Sequence, residues 1–222
     1  MDQPQQHASP QPVEPVAGGV RLLLLSDTHL PRRAKDLPAP VWAAVEAADV
    51  VVHAGDWCDE ATVLALRERS RLLVGVAGNN DGPPVRRHLE ELALFEAGGV
   101  RFGVVHETGG APGRERRCDA LYAQRCDVLV FGHSHVPWDS TTPSGLRLLN
   151  PGSPTDRRRM PTCTYLTALA AGGRLHEVEL HHLPPRAPAR GRPPARRSRP
   201  VAHTPSAAPA AAVSPQAPAS SS

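Results

Sequence analysis

Six short apolar runs, each followed at once by polar residues, constrain the fold of this chain more than any other feature. The runs are rich in Val and Leu and are bounded by Gly, Pro, Asn or Asp, which is typical of short buried strands. They span residues 20–25, 49–54, 71–77, 101–105, 126–131 and 146–149. The polar segments that follow them are SDTH, GD, GNND, HE, GHSH and NPGS. We therefore expect strands whose ends carry polar side chains.

Helical patterns separate several of the strands, and two further segments have the pattern of hairpins. The helical patterns span residues 38–48, 59–69 and 113–125. Asp59 is suited to cap the second of these helices. Residues 92–105 and 164–180 each contain two apolar runs joined by glycines, which indicates β-hairpins. Alternating strands and helices form mostly parallel sheets, so we predict an α/β layered domain over residues 19–183.

Both ends of the chain differ in composition from this domain. Residues 1–18 and 184–222 are rich in Pro and lack the apolar runs of a core, and Ala, Arg and Ser dominate the second segment. Such segments bury too little apolar surface to offset the entropy lost on ordering, so we predict that both are disordered. The chain of 222 residues has a net charge of +3. The segment 184–222 contains six arginines and no acidic residue, so residues 1–183 have a net charge of −3. The tail either faces solvent or contacts an acidic partner such as nucleic acid.

The cysteines and the hydropathy pattern bear on the cellular compartment. Four cysteines lie at positions 58, 118, 126 and 163 without a C-x-x-C pair, which favours reduced thiols that pack in the interior. The chain has no secretory apolar segment at its start and no run of the roughly 18 apolar residues that a membrane span needs. We therefore expect a cytoplasmic protein without membrane contact.

Seven side chains at the ends of five strands form a candidate metal site. They are Asp27, His29, Asp56, Asn79, His106, His133 and His135. Because ligands bind at the carboxyl ends of strands in open α/β sheets, we expect these side chains to converge. Nitrogen and oxygen donors without a thiolate suit Mn²⁺, Fe or Zn²⁺. Seven donors are too many for one tetrahedral ion and suit two ions that share a carboxylate.

The spacing of two pairs within this set supports a shared site. Asp27 and His29 are two residues apart, as are His133 and His135, and in extended backbone such residues point to the same side. Each segment alone has a simpler explanation, since DxH and GD segments are commonly turns and a single histidine such as His106 is commonly structural. Five such segments at five strand ends make coincidence the weaker explanation.

The order of the segments SDTH, GD, GNND, H and GHSH resembles that of the calcineurin-like metallophosphoesterase superfamily. The resemblance covers about residues 20–180. The short length, the hairpin before His106 and the NPGS segment at 150–153 are similar to its compact bacterial and archaeal phosphodiesterase branch. The resemblance implies a four-layer α-β-β-α sandwich of two mixed β-sheets flanked by helices.

The resemblance also implies a role for each of the seven residues. One metal ion would be held by Asp27, His29, Asp56 and His135. The other would be held by Asp56, Asn79, His106 and His133. Asp56 would bridge the two ions, and Asp56, Asn79 and His106 would be catalytic. The ions would be divalent, with Mn²⁺ as the first choice and Fe, Zn²⁺, Ni²⁺ and Mg²⁺ as alternatives.

The implied activity is metal-dependent hydrolysis of P–O ester bonds by a hydroxide that bridges the two ions, with a phosphodiesterase favoured. The partner would be a small phosphodiester or phosphomonoester without specific nucleic acid, and the chain could form a homo-oligomer. Two alternatives are a non-catalytic scaffold, since the small scaffold subunit of the retromer coat resembles this branch, and a nuclease that uses the basic tail. The complete ligand set favours hydrolysis, and the small domain leaves little room for a DNA-binding domain.

Four segments depart from the family pattern or add to it. Larger members have a histidine after GN, where this chain has Asn80 and Asp81, so we expect diester substrates or activated leaving groups. Asp81 either holds its own loop, which we favour, or protonates the leaving group. Glu107 follows His106 where the family usually has Gly, and it either faces solvent or supports the ligands. Arg157 to Arg159 either bind substrate phosphate or form a solvated turn. His53, inside a strand, is expected to pack in the core or behind the ligands.

Overall fold

The computed structural model describes residues 11–12 and 18–184, all within the first of two units of the chain, Met1–Pro185. In these residues, two β-sheets pack face to face and helices cover their outer faces, which confirms the predicted four-layer sandwich. The strands are β1 (Gln11–Pro12), β2 (Val20–Leu25), β3 (Val50–His53), β4 (Leu73–Gly75), β5 (Leu92–Ala97), β6 (Val100–Val105), β7 (Val128–Val130), β8 (Trp138–Thr141), β9 (Arg147–Asn150), β10 (Thr164–Ala171) and β11 (Arg174–His182). The helices are α1 (Ala39–Ala47), α2 (Glu60–Arg69), α3 (Pro83–Arg86) and α4 (Arg114–Tyr122).

Each sheet combines parallel and antiparallel strands. The strand order is β1-β5-β6-β7-β9-β8 in the larger sheet and β11-β10-β2-β3-β4 in the smaller one. The strands β2, β3 and β4 are parallel neighbours, and so are β6, β7 and β9. The pairs β5–β6 and β10–β11 are antiparallel hairpins, as the sequence predicted. The carboxyl ends of the parallel strands therefore share one edge in each sheet.

Alternating side chains of β2 show how one strand serves two cores. Leu22 and Leu24 are buried between the two sheets, in a cluster that includes Phe102 of β6. Leu23 and Leu25 belong to a second cluster, which contains buried residues of α1 and α2. A strand that is covered on both faces needs apolar residues at every position, which explains the unbroken run of leucines. Each fully buried leucine contributes about 1.5–3 kcal/mol.

The helix α4 covers the outer face of the larger sheet with a narrower apolar stripe than its sequence indicates. Its buried row follows Arg114, Cys118 and Tyr122 at steps of four residues, and the Arg114 guanidinium lies 4.9 Å from the centre of the Phe131 ring. Leu121, which helical spacing would place on the same face as Cys118, lies outside this row and is 63% exposed. The sequence also does not predict α3 or β8.

The strand β1 lies within residues 1–18, the N-terminal segment that we predicted to be disordered. Its backbone pairs in parallel with β5, with Gln11 opposite Phe95. The rest of that segment except Gly18, and the tail from residue 185 onward, lie outside the described residues, so the disorder of both ends stays a prediction. Within residues 18–184, no helix has the length and apolar character that crossing a membrane requires.

A buried carboxylate joins the first residues of two strands. Asp49 accepts two hydrogen bonds from the Arg21 guanidinium, at 3.0 and 3.1 Å, and one from Arg71 at 2.7 Å. The backbone N–H of Arg21 donates a further bond at 3.0 Å. These contacts lower the pKa of Asp49 to about 2, and the Arg21 side chain is the largest cause. Asp49 therefore fixes the start of β3 beside β2.

We predict that Asp49→Asn lowers the free energy of unfolding by about 1.5–3 kcal/mol at neutral pH, because hydrogen bonds to a charged group are lost. The pKa is depressed in the folded chain, so this stabilisation is present above the unfolded value of about 4 and is lost as the pH falls through about 2. Urea denaturation at neutral pH and at about pH 2 measures the change.

Asp139→Asn is the matched control, since Asp139 is 49% exposed and its pair with Arg147 should contribute less than about 1 kcal/mol. A destabilisation by Asp49→Asn that stays equally large at acidic pH would show that the charge of Asp49 is not the cause.

Candidate metal centre

The structure brings the seven side chains singled out by the sequence together at one edge of the sandwich. They follow β2, β3, β4, β6 and β7, so both sheets contribute. The backbone N–H of His133 donates to Asp27 Oδ1 at 3.1 Å, which links the larger sheet to the smaller one. Asn79 Oδ1 lies 2.9 Å from His106 Nε2 and 3.0 Å from His133 Nδ1. Their roles as metal ligands stay predictions.

Asp56 lies between two groups of these side chains. The inner group consists of the buried Asp27, His29 and His135, and the outer group consists of Asn79, His106 and His133. Asp56 Oδ2 lies 3.4 Å from His29 Nε2, and Asp56 Oδ1 lies 3.4 Å from His106 Nε2. Within the inner group, His135 Nε2 lies 3.4 Å from Asp27 Oδ1. The carboxylate of Asp56 therefore faces one histidine of each group.

Left-handed backbone at the strand ends aims these side chains. The φ angles are 55° at Asp27, 45° at His29, 62° at Asp56, 69° at His133 and 57° at His135. We expected extended backbone at both pairs, and this expectation is wrong. The chain instead turns sharply at each ligand residue, which costs about 1–3 kcal/mol per residue and is common at functional sites. The spacing of two still places both members of each pair in the site.

Two glycines make room for the carboxylate and the imidazole at the centre. A Cβ on Gly78 would lie 2.3 Å from Asp56 Oδ1, and a Cβ on Gly55 would lie 2.6 Å from His106 Nδ1. Both distances are far below van der Waals contact. Gly55 also has a φ of +88°, which side chains with a Cβ rarely adopt.

Backbone carbonyls fix the orientation of two imidazoles. His106 Nδ1 donates to the Ala54 carbonyl at 2.8 Å, and His135 Nδ1 donates to the Asp156 carbonyl at 2.7 Å. A neutral ring that donates from Nδ1 has its lone pair on Nε2, and both Nε2 atoms face the cluster. Burial lowers the pKa of His135 to about 4, so this ring is neutral. Such rings are set up to accept a proton or a cation.

The polar atoms of the inner group do not satisfy one another by hydrogen bonds, and a cation would suit them better. His29 Nε2 and His135 Nε2 lie 3.1 Å apart, and the pKa of His29 is also lowered by burial. Asp27 Oδ2 is buried and has no hydrogen-bond partner among the described residues. Burial raises the pKa of Asp27 to about 7, the sign of a carboxylate that lacks enough positive charge nearby. Nitrogen and oxygen donors placed in this way suit a divalent first-row ion.

Asn80 and Asp81 hold Asp56 in place. The Asn80 backbone and side-chain N–H groups donate to the two oxygens of Asp56 at 2.8 and 2.7 Å. The Asp81 carboxylate accepts bonds from the backbone N–H groups of Gly78, Asp56 and Cys58 at 2.7, 3.0 and 2.7 Å. Asp81 therefore ties the loop after β4 to the loop after β3. This supports the loop-holding role expected from the sequence.

Other side chains support the ligands from behind. His53 is buried, contacts Thr28 Oγ1 at 3.1 Å and stacks on Trp57, and its burial lowers its pKa to about 3. It does not reach the cluster, in agreement with the role expected for it. Cys58 Sγ lies 3.2 Å from His29 Nδ1, and burial raises the pKa of this thiol to about 11. No pattern in the sequence predicts this contact.

The NPGS segment after β9 braces two of the ligand loops. Asn150 Nδ2 donates to the Gly132 carbonyl at 2.8 Å, and Ser153 Oγ donates to the Asp27 carbonyl at 2.7 Å. Its position after a strand was the signal that could have indicated this role. The contacts explain why a polar segment without ligands lies at the same edge.

Residues 20–171 match the calcineurin-like phosphoesterase superfamily domain, and the chain belongs to this superfamily. The superfamily and the candidate ligands together define a metal-dependent phosphoesterase.

Similar proteins agree with this assignment. A probable metallophosphoesterase of Methanocaldococcus jannaschii is 33% identical over 151 residues, which cover 67% of this chain and 73% of that protein. A Thermotoga maritima protein of known NMR structure is 33% identical, with a TM-score of 0.60 over 74% of this chain and 99% of that chain. Vacuolar protein sorting 29 of Cryptosporidium parvum is 21% identical, with a TM-score of 0.60 over 74% of this chain and 98% of that chain, and shares the fold.

We predict that Gly78→Ala weakens metal binding by at least about tenfold, because the added Cβ would displace the Asp56 carboxylate. Calorimetric titration of the metal-free chain with Mn²⁺ measures the change. Gly82→Ala is the control in the same loop, since its Cβ would meet only Pro84 Cδ at 3.7 Å. Equal affinities of the two variants would contradict the tight packing of Gly78 on Asp56.

Proposed function

We propose that the chain is a phosphodiesterase that works with two divalent metal ions. The observation that carries the proposal is the position of Asp56, whose two oxygens face His29 and His106 at 3.4 Å each. A carboxylate with one oxygen toward each of two donor groups suits a bridge between two ions. The substrate is a small phosphate ester, as membership of the family implies.

The donors divide into two positions that share Asp56. The inner group with Asp56 would hold one ion, and the outer group with Asp56 would hold the other. When bound, two divalent ions activate water and neutralise the charge that develops on the phosphoryl oxygens. We propose Mn²⁺ because mixed nitrogen, carboxylate and amide donors suit it, with Fe, Zn²⁺, Ni²⁺ and Mg²⁺ as alternatives.

The chain itself contributes orientation and access. The carbonyls of Ala54 and Asp156 hold the rings of His106 and His135, so their Nε2 atoms keep one direction. The inner group is buried, whereas Asn79 and His133 are exposed. A substrate would therefore approach from the side of the outer group.

The surroundings of the GN segment support a diester with a good leaving group. Asn80 is bonded to Asp56, and Asp81 is occupied by three backbone N–H groups. Neither side chain is free to protonate a departing alkoxide. Aryl and nucleotide leaving groups need less protonation than alkyl groups, which favours them as substrates.

Arg158 is the arginine of the 157–159 segment that lies beside the outer group. Its Nη1 donates to the His133 carbonyl at 3.3 Å, and its side chain is exposed. Arg157, by contrast, donates to the Met160 carbonyl within its own turn. We propose that Arg158 contacts a phosphate oxygen of the substrate, since a guanidinium suits this anion.

A non-catalytic scaffold is the second candidate, because vacuolar protein sorting 29 has the same fold. The complete set of seven donors favours a metal enzyme over a scaffold, and so does Asp27 Oδ2, which has no hydrogen-bond partner among the described residues. A nuclease that uses the basic tail would depend on residues outside the described part of the chain.

We predict faster hydrolysis of bis-p-nitrophenyl phosphate than of p-nitrophenyl phosphate, and a requirement for Mn²⁺ in both reactions. Asp56→Asn and His133→Ala should each lower kcat by about 100-fold or more, because each removes a side chain that would position the proposed metal ions. His176→Ala, at an exposed histidine of β11, should leave kcat unchanged.

Two outcomes would count against this proposal in different ways. A chain that shows no metal-dependent turnover of either ester would support the scaffold. Faster cleavage of the monoester would retain the phosphoesterase activity and overturn the preference for diesters.

For Arg158, we predict that Arg158→Gln raises KM by about tenfold with a smaller change in kcat, since a charged contact to the substrate is lost. Arg159→Gln, at the next exposed arginine, is the control. Equal KM values for the two variants would favour the solvated turn.

A further inference from the structure

Glu107 brings a carboxylate to the solvent side of the outer group. It follows His106 directly after β6, and its Oε1 lies 3.2 Å from His133 Nδ1. The side chains of Glu107 and His133 are 51% and 49% exposed, so both are reachable from solvent. Glu107 therefore lies beside the proposed outer metal position.

The donor atoms of His106, Glu107 and His133 converge. All three lie within 4.8 Å of one another. Atoms that bind one ion at about 2.0–2.2 Å are at most about 4.4 Å apart, so a small side-chain rotation brings the three onto one ion. Asn79 Oδ1 completes the group, at 2.9 and 3.0 Å from the two imidazole nitrogens.

Hydrogen bonding leaves this group with too many acceptors. His106 donates its Nδ1–H to the Ala54 carbonyl, so the Nε2 of a neutral His106 ring is an acceptor. His133 Nδ1 faces two more acceptors, Asn79 Oδ1 and Glu107 Oε1. One N–H serves only one of these oxygens well. A cation among the four atoms would satisfy all of them at once.

We propose that the Glu107 carboxylate is a further ligand of the ion in the outer position, beside Asp56, Asn79, His106 and His133. This proposal rests on the proposed two-metal phosphodiesterase and deepens it. An anionic oxygen attracts a divalent ion more strongly than a neutral amide or imidazole does. Glu107 therefore tightens the outer position, which is the more exposed of the two.

The same carboxylate sets the charge that a substrate meets. Two divalent ions carry four positive charges, and the carboxylates of Asp27, Asp56 and Glu107 remove three of them. A phosphodiester carries one negative charge at neutral pH, whereas a phosphomonoester approaches two. Glu107 therefore favours the monoanionic diester over the dianionic monoester. At a separation of several ångströms with partial screening by solvent, one unit charge changes the preference for the diester over the monoester by about tenfold.

The Glu107→Gln variant separates metal binding from hydrogen bonding. Gln keeps an oxygen that can accept a bond from His133 Nδ1–H, but it loses the negative charge. We expect calorimetric titration of the metal-free full chain with Mn²⁺ to show one affinity weakened by at least about tenfold and the other unchanged. The ratio of kcat/KM for bis-p-nitrophenyl phosphate over p-nitrophenyl phosphate should fall by about tenfold. Glu68→Gln, at an exposed position of α2, should change neither quantity.

The outcomes distinguish this proposal from the one on which it rests. Wild-type affinity at both positions in Glu107→Gln would overturn the role of Glu107 as a ligand, even if the wild-type chain is an active phosphodiesterase. A wild-type chain that binds no Mn²⁺ would overturn the two-metal function and the role of Glu107 together. Thermal unfolding of the metal-free variant is the control for the fold. An unfolding temperature equal to that of the wild-type chain would show that the fold is intact.

Discussion

The carboxylate of Asp56 is the group on which the rest of the site depends. Its two oxygens accept hydrogen bonds from Asn80 and face the imidazoles of His29 and His106. Its backbone N–H is held in turn by the carboxylate of Asp81. These contacts join the loops after β2, β3, β4 and β6, which come from both sheets. Because the loops meet at one side chain, a shift of Asp56 would displace donors on both sides of the site.

The sandwich provides the rigidity that this arrangement requires. Left-handed backbone at five donor residues costs about 1–3 kcal/mol each, and such strain persists only where surrounding structure fixes it. The apolar run of β2 is buried between the sheets and beneath the helices, so the strand ends are held firmly. The NPGS segment adds hydrogen bonds to the Asp27 and Gly132 carbonyls from the neighbouring strand. Most of the left-handed non-glycine backbone in the described residues therefore lies in the loops that carry the chemistry, with Glu177 of β11 as an exception.

The sequence predicts much of the fold and which residues converge at the site. The apolar runs predict the strands, and the polar segments that follow them predict the residues at the strand ends. The sequence does not predict β8, whose residues alternate in exposure without an apolar run, or α3, which starts at two prolines. The left-handed turns were missed because Asp and His adopt them only when the surrounding structure requires it. The bonds of Asp81 to a loop about 25 residues away, and the contact of Glu107 with His133, depend on the tertiary fold, so the sequence singles out both residues but does not predict these partners.

The central claim is that Asp56 bridges two metal ions. Electron paramagnetic resonance of the full chain loaded with Mn²⁺, with the metal content measured on the same sample, tests it most directly. We expect two Mn²⁺ ions per chain and the spectrum of a spin-coupled pair, since ions that share a carboxylate are close enough to couple. One Mn²⁺ ion per chain with the hyperfine spectrum of an isolated ion would contradict the claim.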